Sequence, residues 1–299
     1  MNNLKIRKFN ESVLDRAKLI TNGKGFFKTY DLCNGNIIKV VKTPEECFDG
    51  RNALFLYTTY NEFIDELYGK LTKSVDITTQ SIVLPNCIYL DNNIPRAYTV
   101  PKQRNMVDLD RLLLKNHDLE TVSNIIINIS NEVKKANQEG IHLPDLGNSS
   151  NILVNPKNKE IKFIDYDGMQ IDKYPSFNSS GLVNNIVVPF TRNPMYCCMK
   201  DGLVNSNFDK LSLYALFIFF TTRTILTDFG PESYYPKDGK LYLKPEAFYD
   251  YTKTLGLTGT NLEEELLKIF TNKNLNYPNT SIKKLVKSHN LEGVKFIKK

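Results

Sequence analysis

Residues 211–220, LSLYALFIFF, constrain this 299-residue chain more than any other stretch. Asn207-Phe208-Asp209 precedes them as a helix cap, and the helix that follows is apolar all round, so it has no face to offer to water. A bilayer span needs about 20 such residues. This run is far shorter, so it reads as a buried helix that the rest of the chain must surround. The chain is long enough to do so, as one large domain or two lobes at about 100–200 residues per domain. With 41% apolar and 24% charged residues, the disordered, collagen-like and disulfide-scaffold classes are excluded.

Charge and cysteine usage narrow the setting. Lys and Arg number 39 against 33 Asp and Glu, a net charge of +6. That balance favours anionic ligands mildly, but it is spread too evenly for a nucleic-acid surface. Cys33, Cys47, Cys87, Cys197 and Cys198 are odd in number and lack metal-ligand spacing, which fits reduced thiols and a cytoplasmic protein. The start, MNNLKIRKFN, has no apolar signal core. No membrane span and no nucleic-acid partner are expected.

The periodicity changes near Pro101. Before it, residues 19–42 predict an antiparallel meander, with Asn34-Gly35 as a two-residue type I′ hairpin turn. Thr43-Pro44-Glu45-Glu46 carries a helix start, with Thr as N-cap, Pro in the first position and Glu three residues on. Gly50 interrupts that helix, residues 52–71 predict a second one, and short strands are expected at 81–90 and 96–100. After Pro101 the chain becomes helical. Leu119, Val122, Ile126, Ile129, Val133 and Ala136 form a 3.6-period stripe that Gly140 ends. Residues 151–154 and 161–164 flank a polar turn and predict a hairpin, 172–207 is a long aperiodic stretch, and helices are expected near 262–270 and 281–288.

Chemistry collects at that hairpin. Antiparallel pairing sets Asn151, at the start of its first strand, opposite Asp165, at the end of its second. Asp145 lies in the loop feeding the same end. Hard oxygen donors of this kind suit Mg²⁺, which takes one or two carboxylates and completes its shell with phosphates and water. Upstream, Gly23-Lys24-Gly25 lies between two strands, where backbone amides can approach a phosphate chain without Cβ interference. Lys39 sits on the next strand but one, between Ile38 and Val40. The predicted helix behind it carries Glu62 and Glu66, four residues apart and so on one face.

Taken in order, GKGFF, IIKVVK, an acidic helix, HLPDLGNSSNILV and FIDYDG resemble the protein-kinase superfamily over about residues 20–285. NSNFDKLSLYALFIFF likewise resembles that family's buried central helix, with Asp209 as the Asp that supports the catalytic loop. The resemblance implies a two-lobed α+β fold, with a sheet-rich N-lobe at 1–101 and a helical C-lobe at 102–299. It implies that Gly23 and Gly25 cover ATP phosphates, Lys39 holds them, and Glu62 or Glu66 orients Lys39. Asp145 would act on the acceptor hydroxyl, and Asn151 and Asp165 would bind Mg²⁺.

Several positions depart from the family pattern. Lys28 replaces the third loop glycine, Leu143-Pro144 replaces the His-Arg before the catalytic Asp, and His142 stands one position early. Asp145 to Asn151 is one residue longer than usual, and Asp167 stands where the family has glycine. The expected activity is ATP- and Mg²⁺-dependent transfer to a hydroxyl, with a protein Ser/Thr slightly preferred. The alternatives are a small-molecule kinase of the aminoglycoside or choline type, and a pseudokinase acting as a nucleotide-sensing scaffold.

Overall fold

The computed structural model describes residues 3–22, 26–47, 60–113, 118–174, 199–200, 203–222, 234–237, 240–254, 258–270 and 274–287. It is a mixed α+β structure, sheet-rich in its N-terminal part and helical in its C-terminal part.

The first part holds six strands: β1 (Lys5–Lys8), β2 (Lys18–Thr21), β3 (Phe27–Asp31), β4 (Asn36–Val41), β5 (Cys87–Asp91) and β6 (Ile94–Pro101). They form one sheet in the order β1-β5-β6-β4-β3-β2, antiparallel throughout except for the parallel pair β1 and β5. Two short helices of this region are α1 (Pro44–Cys47) and α2 (Tyr60–Lys73). Strand alternation gives the sheet two buried faces. Ile38, Cys87, Tyr89 and Ala97 point to one side, where Phe9, Val13 and Leu14 cover them. Phe27, Val41, Ile88 and Tyr98 point to the other, toward α2 and the main core. Phe26 stacks on Phe63 of α2 at 4.1 Å between ring centroids.

Local signals account for several boundaries. Thr43 and Glu46 close the expected capping box, with Glu46 N–H 3.4 Å from Thr43 Oγ1 and Thr43 N–H 3.1 Å from a Glu46 carboxylate oxygen. The β3–β4 connection departs from the two-residue turn. It runs over residues 32–35, and the positive φ values fall at Cys33 and Gly35. Asp31 accepts the Cys33 N–H at 2.8 Å and Asn34 the Asn36 N–H at 3.1 Å, so two local side-chain bonds shape a wider loop. A two-residue turn with both central residues at positive φ joins β5 to β6 instead, at Asn92 (49°) and Asn93 (66°). The predicted strand at 81–90 divides around Pro85. Residues 87–91 enter the sheet, whereas Ser81 and Val83 bond to Phe163 in the second part of the chain. Gly50 and residues 52–59 of the predicted second helix lie outside the described residues.

The second part contains α3 (Leu109–Leu113), α4 (Leu119–Gln138), α5 (Ser206–Thr222), α6 (Pro245–Thr254), α7 (Asn261–Phe270) and α8 (Asn279–Lys287). Short strands join them: β7 (Val107–Asp108), β8 (Ile141–His142), β9 (Ile152–Val154), β10 (Ile161–Phe163), β11 (Gln170–Ile171), β12 (Met199–Lys200), β13 (Leu203–Val204), β14 (Tyr234–Lys237) and β15 (Lys240–Leu243). Asp118 caps α4, accepting the Thr121 N–H at 2.7 Å, and the chain leaves that helix through Gly140 at φ +74°. Helix α5 is buried on every side, with Phe208, Leu211, Tyr214, Leu216, Phe217 and Phe220 all in the main core. No helix among the described residues is long and apolar enough to cross a membrane.

Candidate functional site

Lys39 lies on β4 directly opposite Tyr98 of β6, on the sheet face turned toward the main core. Its flanking residues Ile38 and Val40 belong to the opposite face, so alternation carries the ammonium inward, where its side chain keeps only 13% of its exposure. A buried cation needs a partner. Lys39 has two, forming ion pairs with Asp165 and Asp167, and it lies 5.7 Å from the Phe27 ring centroid. Burial alone would lower the ammonium's pKa, but the two carboxylates outweigh it and hold it above the ordinary lysine value.

Asp165 follows β10 with φ 71° and ψ 53°, a left-handed conformation that Asp tolerates better than most residues. The chain turns there into one 3₁₀ turn, Tyr166–Gly168, closed by Gly168 N–H to Asp165 C=O at 2.8 Å. The hairpin register puts Ile164 opposite Asn151, its N–H 3.0 Å from the Asn151 carbonyl, with Asp165 one residue beyond. The two still share one rim. Asn151 donates its side-chain N–H to Asp145 Oδ2 at 2.6 Å. Burial pushes the Asp145 carboxyl up to about 7 and the nearby Asp165 charge adds to this, against hydrogen bonds from Asn148 and Asn151. Lys39, Asp145, Asn151 and Asp165, spread over 127 positions of sequence, thus meet at one place. A small cavity beneath them is lined by Leu143, Asp145, Asn151, Phe163, Asp165 and Met169.

The loop carrying Asp145 hangs from α5. Asp209 is fully buried and accepts the Leu143 N–H at 2.8 Å, His142 Nδ1 at 2.9 Å and Asn137 Nδ2 at 2.6 Å. Tyr277 donates to Asn137 Oδ1 at 2.6 Å, tying α4 and the segment before α8 into the same network.

Two residues of the site were not found by sequence reasoning. Asp167 is buried, pairs with Lys39 and accepts the Tyr98 hydroxyl. Its carboxyl is held below the ordinary value, because Lys39 and the Tyr98 hydroxyl outweigh the burial that would raise it. Lys70 of α2 is fully buried and donates to the carbonyls of Asp167 at 2.9 Å and Met169 at 2.5 Å, clamping the turn from behind. Burial draws its pKa down to about 7, opposed by Asp167, Glu66 and Asp165. The signal for Lys70 was the α2 stripe Phe63, Leu67, Lys70, in which a lysine occupies a core-facing position.

Glu62 and Glu66 do lie on α2, with Glu62 exposed and Glu66 half-buried near Lys70. The ion pairs of Lys39 run to Asp165 and Asp167. Gly23 and Gly25 lie outside the described residues.

No group of three or more His, Cys, Asp or Glu among the described residues is arranged to hold a metal ion. The described residues therefore form no all-protein metal cage. One carboxylate, Asp165, beside one amide, Asn151, does suit an Mg²⁺ shared with phosphate oxygens and water. Compared with known proteins, the sequence matches no family model and no curated relative.

Proposed function

We propose that the chain is an ATP- and Mg²⁺-dependent phosphotransferase with protein-kinase-like architecture, its sheet-rich N-lobe (1–101) and helical C-lobe (102–299) enclosing the nucleotide. The observation that supports this best is the convergence of Lys39 from the sheet with Asp145, Asn151 and Asp165 from the hairpin rim. That set supplies what phosphoryl transfer asks of a protein, namely alignment and charge stabilisation.

Lys39 would hold the α- and β-phosphates. Asp165 and Asn151 would hold the Mg²⁺, which supplies charge neutralisation on the phosphates. Asp145 would orient the acceptor hydroxyl and take its proton as the oxygen–phosphorus bond forms and the bond to the leaving ADP breaks. A protein Ser or Thr is the preferred acceptor. A small-molecule hydroxyl is the second reading, favoured by the acidic Asp167 after Asp165-Tyr166.

Incubation with ATP labelled in the γ-phosphate and Mg²⁺ tests this, with label sought in the chain itself, in added protein and in small metabolites. Asp145→Asn is expected to lower transfer by about 10²–10⁴-fold, the usual contribution of a positioned base, while nucleotide affinity stays near that of the unaltered chain. Absence of both ATP binding and transfer would refute the reading, as would full turnover in Asp145→Asn.

A further inference from the structure

The geometry points to Asp167, oriented by Tyr98, as the residue that positions Lys39 for nucleotide, a role for which the α2 glutamates were expected. This rests on the phosphotransferase reading and adds to it.

Three observations carry it. Lys39 is shared between two carboxylates, Asp165 and Asp167. Of these, Asp165 sits at the rim with Asn151, where phosphate-bound Mg²⁺ would recruit it, and its side chain keeps 22% of its exposure against 6% for Asp167. Once Asp165 turned to the metal, Lys39 would keep Asp167 as its carboxylate among the described residues. Asp167 is also fixed from three directions. Tyr98 donates to the same carboxylate oxygen that Lys39 meets, and Lys70 holds the backbone carbonyl. Finally, Tyr98 and Lys39 are cross-strand neighbours in register, so the sheet sets the spacing of anchor and lysine.

An anchor built this way differs physically from one on a helix. A helix glutamate moves with its helix, whereas Asp167 is two residues from Asp165 and joined to it by one 3₁₀ turn. The position of Lys39 and the placement of the carboxylate that would bind the metal are thereby set through one 3₁₀ turn.

The test uses the full chain and reads the affinity of Mg²⁺-ATP by calorimetry, the transfer rate and the unliganded melting temperature. Asp167→Asn keeps the shape and can still accept from Tyr98, but it removes the charge from Lys39. It is expected to weaken Mg²⁺-ATP by about tenfold or more and to raise the Mg²⁺ concentration needed for half-maximal ATP binding, because Lys39 then competes for Asp165. Asp167→Glu should recover part of the loss. Since Asp167 acts through Lys39, adding Asp167→Asn to Lys39→Met should cost nothing further in affinity. Tyr98→Phe, which leaves both charges in place, should give a smaller loss in the same direction and serves as the second variant if Asp167→Asn fails to fold.

Unchanged ATP affinity and Mg²⁺ requirement in Asp167→Asn would overturn the proposal. So would additive losses in the double variant, or a loss carried by Glu62→Gln or Glu66→Gln in place of Asp167→Asn. If the unaltered chain binds no ATP at all, the functional reading fails first and this inference falls with it, an outcome distinct from normal binding that ignores Asp167.

Discussion

Replacing Asp209 gives the sharpest test of how the Asp145 loop is held. The carboxylate is fully buried and receives three donors, Leu143 N–H on one oxygen, and His142 Nδ1 and Asn137 Nδ2 on the other. Asp209→Ala removes the acceptor of the buried Leu143 N–H and of the part-buried His142 Nδ1, and one of the two acceptors of Asn137 Nδ2. Leaving a buried donor unsatisfied costs about 1–3 kcal/mol, against a total stability of about 5–15 kcal/mol for a typical domain. Asp209→Asn is the more informative change. Its single carbonyl oxygen can serve Leu143 or the His142–Asn137 pair; in the first case its NH₂ meets the fixed Asn137 NH₂ donor even when His142 changes tautomer to accept, and in the second it meets the Leu143 N–H. Asn137 cannot flip to help, because its oxygen accepts from Tyr277 and its nitrogen also donates to the Ile141 carbonyl at 2.9 Å. A cost of about 2 kcal/mol follows from that donor–donor conflict. Denaturant unfolding followed by far-UV circular dichroism measures both variants. An Asp209→Asn midpoint within about 0.5 kcal/mol of the unaltered chain, the usual range for an inert surface substitution, would refute the network as drawn.

Two further perturbations probe the frame around the site. Glu139 accepts the N–H groups of Thr78 and Thr79, at 2.9 and 3.2 Å, and both threonine hydroxyls, at 2.6 and 2.7 Å. These four bonds, outweighing its partial burial, hold its carboxyl below the usual glutamate value of 4.5. Its stabilisation is therefore present above that value and is lost as pH falls through the lowered folded-state value. Glu139→Gln should cost about 1 kcal/mol at neutral pH, and that difference should shrink on acidification in unfolding curves taken from pH 7 to pH 3. Gly140→Ala meets two obstacles, a φ of +74° and an added Cβ 2.9 Å from Asp172 Oδ1. The exposed Asp172 side chain can swing aside but the backbone cannot, so a loss of about 1–2 kcal/mol should persist when Asp172 is also changed to Ala.

Much of this protein was legible in the chain because it rests on local rules. The all-apolar α5 had to be interior, since no face of it could meet water, and the α4 stripe, its exit at Gly140 and the Thr43–Glu46 box follow from period, positive φ and capping. The β9–β10 hairpin gathered Asp145, Asn151 and Asp165 on one rim for the same reason, because antiparallel pairing brings its ends together. What the tertiary structure alone decided concerns partners distant in sequence. Strand β1 has four exposed residues and no alternation to announce it, and its pairing comes from the free edge of β5. A lysine between Ile38 and Val40 on a strand reads by itself as solvent-facing, and the covering of the opposite sheet face by Phe9, Val13 and Leu14 is what turns Lys39 inward. Asp167 looks like an ordinary turn residue until Tyr98 and Lys39 arrive from the sheet and Lys70 from α2. Burying those charges is tolerable only when each finds its counterpart, and no single stretch of sequence contains both members of any of those pairs.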